Sequence, residues 1–155
     1  MAEDLSITTG TKEEQYAALL PQIKGLLEGE SDEVANMANI AAAIFEQFKH
    51  LWVGFYRVVG DELVLGPFQG PVACTRIRKG RGVCGAAWAQ GKTLIVPDVE
   101  KFPGHIACSS RSRSEIVVPV YRNNETIAVL DVDSEALDAF DEVDQVWLER
   151  VVGLL

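Results

Sequence analysis

Three cysteines, Cys74, Cys84 and Cys108, are all the thiols of this chain, and one stretch rich in cations and glycine holds them. Arg76, Arg78, Lys79 and Arg81 lie between the first two, and Lys101, Arg111 and Arg113 flank the third. These cations are half of the 14 Lys and Arg in a chain whose formal net charge is -9. Positive charge beside a thiol favours the thiolate, the nucleophilic form. Gly80, Gly82, Gly85, Gly91 and Gly104 let the backbone turn sharply and approach a ligand closely. The pattern predicts a thiol redox site on mobile loops. Cys84 falls near the start of a predicted helix, whose dipole would lower its pKa, while Cys108 has cations on both sides. Either can be the attacking thiol on this reading. The bland alternatives are buried, inert cysteines and metal ligation with His50 or His105. No close C-x-x-C pair of the structural-zinc kind is present, so no metal is expected.

Two aromatics and three acids join the thiols. Trp52 and Tyr56 are four apart in a predicted strand and share a face, because strand side chains alternate. Asp131 and Asp133, two apart in another strand, also share a face, while Leu130 and Val132 point the other way. Glu115 sits on the strand next in sequence and can join them. Taken alone, the aromatics read as core and the aspartates as a solvent face. Taken together, they form a pocket beside the thiol loops. Carboxylates recognise an ammonium group, and an aromatic ring contacts a methyl-sulfur group well. A protonated carboxyl in a low-dielectric pocket can give a proton to oxygen leaving sulfur. A thiolate can attack that sulfur. An amino acid bearing a methyl sulfoxide asks for all four, and the acids favour a free amino acid with its α-ammonium intact.

The elements that position these residues follow from periodicity. Residues 1–10 read as a short flexible tail. Thr11 and Glu14 form a capping box, so a helix starts near Lys12 and buries Tyr16, Leu19, Leu20, Ile23, Leu26 and Leu27. Pro21 should kink or restart it. A second helix presents Val34, Met37, Ala41, Ile44 and Phe48 on one face. Trp52–Val59 and Glu62–Phe68 read as a hairpin turned at Gly60-Asp61, and a third strand is expected from Val72 to Ile77. Gly82–Gln90 reads as a short helix closed by Gly91, and Thr93–Val96 as a short strand. Residues 97–113 form a long loop. Ser114–Tyr121 and Glu125–Ser134 form a hairpin turned by Asn123-Asn124. Asp141 caps a last helix carrying Val143, Val146, Trp147, Val151 and Leu154. These elements predict one α+β domain over residues 1–155. Its sheet is mostly antiparallel, with terminal helices on one face and ligand-enclosing loops on the other.

The 155 residues suit one domain, and a hydrophobic fraction of 48% suffices for a core. The acidic balance argues against nucleic acid or an anionic membrane as partner. No apolar run reaches the ~20 residues that cross a bilayer. The start lacks the basic and apolar regions of a signal peptide, so a cytoplasmic location is expected. An odd cysteine count there argues against a structural disulfide framework.

The segments WVGFYR at 52–57, GPFQGPVACTRI at 66–77, G-x-GVCG-x-AW at 80–88, FPGHIACSS-x-S-x-SEIVVPV at 102–120 and VLDVDS at 129–134 carry a resemblance. Together they resemble the free methionine-(R)-sulfoxide reductases, which are single GAF domains. The resemblance implies that Cys108 attacks sulfoxide sulfur, that Cys74 forms a disulfide with it, and that Cys84 is an auxiliary thiol. It implies that Trp52 cradles the substrate methyl and that Tyr56, Glu115, Asp131 and Asp133 complete the pocket. It further implies the R epimer as substrate, thioredoxin as external reductant with no bound cofactor, and a homodimer. The rival readings are a non-catalytic GAF sensor of a small molecule and a redox-regulated interaction protein.

Overall fold

The computed structural model describes residues 4–155. The helices are α1 (Lys12–Leu27), α2 (Glu33–Phe48), α3 (Gly82–Gln90) and α4 (Glu142–Val152). The strands are β1 (Trp52–Val59), β2 (Glu62–Gln69), β3 (Arg76–Arg78), β4 (Leu94–Val96), β5 (Ser114–Arg122) and β6 (Glu125–Ser134). All six strands join one sheet in the order β3-β2-β1-β6-β5-β4, and every neighbouring pair is antiparallel. This is the α+β arrangement that the periodicity predicts.

Strand alternation divides the interior in two. Val53, Phe55, Ile116, Val118, Val120, Ala128, Leu130 and Val132 point to the face covered by α1, α2 and α4. Trp52, Tyr56, Val117 and Val129 point to the other face, where α3 brings Val83, Cys84, Ala87 and Trp88. A one-residue slip in β6 would turn Asp131 and Asp133 into the helix core, so the register is strongly specified. The β5–β6 turn and the irregularity between Val120 and Tyr121 set it. Asn123 and Asn124 both have positive φ, 53° and 65°, as a two-residue turn between antiparallel strands requires. Gly60, with φ 65°, serves the β1–β2 turn.

The helix ends follow their signals. Thr11 and Glu14 make the capping box of α1, and Asp141 and Asp144 make that of α4. Gly91 closes α3 in the left-handed region with φ 63°. Asp144 is buried, accepts from Tyr16 Oη at 2.6 Å and pairs with Lys12 Nζ at 2.6 Å. It thereby ties α4 to α1, a role that a capping residue does not announce in sequence.

Several boundaries differ from expectation. Helix α1 runs through Pro21 as one element. Pro21 and Ala17, whose carbonyl loses its helical partner there, are both exposed, so solvent can supply the missing donor. Val34 is exposed in the first turn of α2, and Val146 is exposed on α4, so neither belongs to its helix's buried stripe. Leu154 lies beyond α4 yet packs on the core. The third strand is Arg76–Arg78 and not Val72–Ile77. Its expected first half is a loop, in which the carbonyl of Cys74 accepts from Tyr56 Oη at 2.9 Å. Of the expected tail, residues 1–3 lie outside the described residues. Ser6 and Thr8 exchange backbone hydrogen bonds with the side-chain amides of Gln22 and Gln47.

Candidate active site

The face of the sheet opposite the three long helices carries a cavity of about 50 Å³. Cross-strand pairing builds its floor. Trp52 pairs with Asp133, and Asp133 pairs with Glu115, so these three form one row across β1, β6 and β5. The next row is Gly54, Asp131 and Val117. All of the predicted pocket residues line the cavity: Trp52, Tyr56, Glu115, Asp131 and Asp133. Cys84 and Cys108 line it too.

Glycine fixes the aromatic wall. A Cβ on Gly54 would lie 2.6 Å from Trp52 Cη2, so the indole spreads over the bare backbone of Gly54. A Cβ on Gly70 would meet Trp52 Cδ1 at 2.9 Å from another side. Trp52 Nε1 donates to the carbonyl of Pro71 at 3.1 Å. The indole packs near-parallel to Phe68 and to Tyr56, with ring centroids 5.2 and 5.8 Å away. The result is a rigid apolar plate next to the acids.

The acids are crowded, and Asp133 is half-buried. Glu115 and Asp131 are each 6% exposed. Burial pushes the carboxyls of Asp131 and Asp133 well above the usual range, and the neighbouring charges add to it. Burial also raises Glu115, against hydrogen bonding within the cluster and the opposing charge of His105. Three carboxyls this close cannot all ionise, so the cluster holds protons at neutral pH. Ser112 Oγ donates to Asp133 Oδ1 at 3.2 Å, while Asp131 Oδ1 is buried with no hydrogen-bond partner among the described residues. An unsatisfied buried oxygen facing a cavity invites a donor from a ligand.

The thiols divide into two kinds. Cys74 and Cys108 are joined by a disulfide, their Cα atoms 5.4 Å apart. It ties the β2–β3 loop to the long loop before β5 and leaves both residues half-buried. Cys84 is free and buried on α3, with Sγ 3.9 Å from Glu115 Oε2. Burial pushes its thiol well above the ordinary value, and the charges of Asp131 and Glu115 push it further. The expected lowering by the helix dipole is therefore overturned. A helix N-terminus contributes about 0.3–1 kcal/mol, whereas burying a charge beside like charges costs several times more. Tyr56 is likewise held protonated, by burial and then by Asp131.

His50 is on the opposite side of the sheet, packed against Phe48 and Phe140, and cannot share a metal with the cysteines. His105 does line the cavity. Ser112, Gly54 and Gly70 are participants that periodicity does not single out, and the sequence points to His105 only as a metal ligand. Ser112 lies two residues before β5, where no alternation applies, and the two glycines matter only through the ring they admit.

The sequence model of the GAF domain family matches residues 31–155. The chain is 66% identical to a GAF domain-containing protein A of Dictyostelium discoideum, covering 100% of this chain and 99% of that one. It is 44% identical to the free methionine-R-sulfoxide reductase of Escherichia coli, covering 93% of this chain and 88% of the other. The crystal structure of the free methionine-R-sulfoxide reductase of Neisseria meningitidis, in complex with its substrate, superposes with a TM-score of 0.97. That protein is 52% identical, with 99% of this chain and 93% of that chain covered. Family, fold and near full-length similarity agree: the chain is a GAF domain and belongs to the free methionine-R-sulfoxide reductase family.

Proposed function

We propose that this chain reduces free methionine-R-sulfoxide to methionine, using its own cysteines as the immediate electron source. The observation that carries the reading is one cavity lined by a fixed indole plate, the buried Glu115 and Asp131, the half-buried Asp133, and Cys108. The named activity of the relatives supports the same reading and supplies the R preference. Trp52 receives the methyl-sulfur end, and ionised carboxylate in the cluster receives the α-ammonium.

The chemistry starts from the reduced enzyme. A protonated acid of the cluster, Glu115 or Asp131, protonates the sulfoxide oxygen as the Cys108 thiolate attacks sulfur. Methionine leaves with its sulfur reduced by two electrons, the oxygen passes to Cys108, and Cys108 becomes a sulfenic acid. The Cys74 thiol attacks that sulfur, forms the Cys74–Cys108 disulfide and expels water. An external dithiol of the thioredoxin type resets the pair by exchange. Cys84 stays a thiol throughout, since it is buried and protonated and takes no part in the disulfide. We place this reaction in a reducing cytosol, where such a reductant is available.

The test is NADPH consumption with thioredoxin, thioredoxin reductase and each epimer of methionine sulfoxide. Turnover is expected with the free R epimer and not with its N-acetyl form. Equal rates on the blocked substrate would remove the ammonium role of the acids. No turnover in folded, reduced protein would return the chain to a ligand-sensing role.

A further inference from the structure

Cys84 Sγ, a Glu115 carboxylate oxygen and an Asp131 carboxylate oxygen lie within 4.8 Å of one another. All three residues are buried. They come from α3, β5 and β6, so three separate elements hold them in place. Asp131 Oδ1 has no hydrogen-bond partner among the described residues, and all three residues line the cavity. A tetrahedral zinc ion has bonds of about 2.0–2.3 Å, which puts its ligand atoms roughly 3.5 Å apart. Cys84 Sγ and Glu115 Oε2 are already at 3.9 Å, so small side-chain adjustments complete the geometry. One sulfur with two carboxylates suits a borderline or soft divalent ion. Magnesium and calcium ask for six or more oxygens and gain little from a thiolate.

We propose that Cys84, Glu115 and Asp131 form a binding site for a thiophilic divalent cation of the zinc class, which competes with the substrate for the acid end of the pocket. Cys84 gives its proton to solvent and coordinates as the thiolate; the two carboxylates supply oxygen ligands; the fourth position faces the cavity. The site is separate from any structural zinc motif, since Glu115 stands 31 residues after Cys84 and Asp131 follows on the next strand, and only the fold assembles them. The competition with substrate rests on the proposed function; the binding of the cation does not.

Cadmium titration of the oxidised protein tests the binding, because the disulfide leaves Cys84 as the sole thiol. A thiolate-to-cadmium absorption band should grow to saturation at one ion per chain. It should be absent in Cys84→Ala, and its midpoint should shift at least tenfold in Asp131→Asn. No band in folded wild-type protein, or an undiminished band in Cys84→Ala, would overturn the site. If Cys84→Ala does not fold, alkylation of wild-type Cys84 by a maleimide gives a second readout. Cadmium should slow it at least tenfold, and an unchanged rate would equally overturn the site. Competition is read in a Cys74→Ser, Cys108→Ser double variant, where Cys84 is again the only thiol. Free methionine-R-sulfoxide should shift the cadmium midpoint, and an unshifted midpoint would sink the shared position. A cadmium band in protein that shows no reductase turnover leaves the cation site standing and removes only the proposed function.

Discussion

Asp131 shows how burial divides stability from activity at a single residue. Its carboxyl is driven toward the neutral form by burial and then by Asp133 and Glu115, and its Oδ1 lacks a hydrogen-bond partner among the described residues. An asparagine is close in shape to the neutral acid but can carry neither the charge nor the proton. Asp131→Asn should therefore leave the melting temperature unchanged or raise it. It should lower kcat/KM for free methionine-R-sulfoxide by about 10- to 100-fold, the worth of one charge-assisted hydrogen bond at ~1.5–3 kcal/mol. A lowered melting temperature with kcat/KM intact would assign Asp131 to the fold. The pairing of Asp131 with Asp133 on one face was legible in sequence, because alternation needs only a strand and a count of two. The depth of their burial was not. It depends on α3 and the loops covering that face, which local periodicity does not specify. The protonation of Cys84 was hidden for the same reason: the helix start is visible in sequence, the acids beneath it are not.

At the scale of elements, β1 serves both faces of the sheet. Its Gly54 gives the Trp52 indole its resting place; a Cβ there would come within 2.4 Å of Phe68 Cβ and 2.6 Å of Trp52 Cη2. Gly54→Ala should cost about 1–3 kcal/mol of stability through overpacking and raise KM severalfold as the ring tilts. In a Trp52→Ala background the same change should cost less in both measures, and equal costs would deny the coupling. On the other side, His50 joins the end of α2 to β1 and packs against Phe48 and Phe140, with centroids at 5.7 and 5.0 Å. Burial holds its pKa at about 4, below the ordinary 6.5, with the charge of Asp144 opposing. The unfolded chain thus binds a proton that the folded chain refuses. Stability from this group is full above pH 6.5 and is lost as pH falls toward 4, by about 2–3 kcal/mol. His50→Phe should flatten that part of the pH profile in chemical denaturation. A difference between wild type and variant that stays constant from pH 7 to pH 4.5 would contradict it. The capping box of α1, the Asp141 cap of α4, the glycine-closed helix and the asparagine turn were all readable, since each is a local exchange of hydrogen bonds. The loop that replaces the first half of the third strand was not, because Tyr56 and Cys108 reach it from distant parts of the chain.

The whole molecule is held across its pocket by one covalent tie that the proposed cycle must repeatedly make and break. Cys74 and Cys108 are 34 residues apart, and closing a loop of that length restricts the unfolded chain by about 4 kcal/mol. The reduced native protein also regains freedom, because both cysteines sit on loops and not on the sheet. Oxidation should therefore raise stability by less than that full amount. Thermodynamic linkage turns this into a statement about turnover. Whatever stability the disulfide adds to the fold, the fold returns as a lower reduction potential, about 30 mV for each 1.4 kcal/mol. The full 4 kcal/mol would deepen the potential by roughly 90 mV and make the pair slow to reset by an external dithiol. Urea denaturation of the oxidised and reduced proteins measures the difference directly. A gain of about 1–3 kcal/mol on oxidation fits a disulfide that is an intermediate of a cycle. A gain well above 4 kcal/mol would mark it as a structural staple, and Cys74 could then no longer be the residue that resolves the sulfenic acid on Cys108.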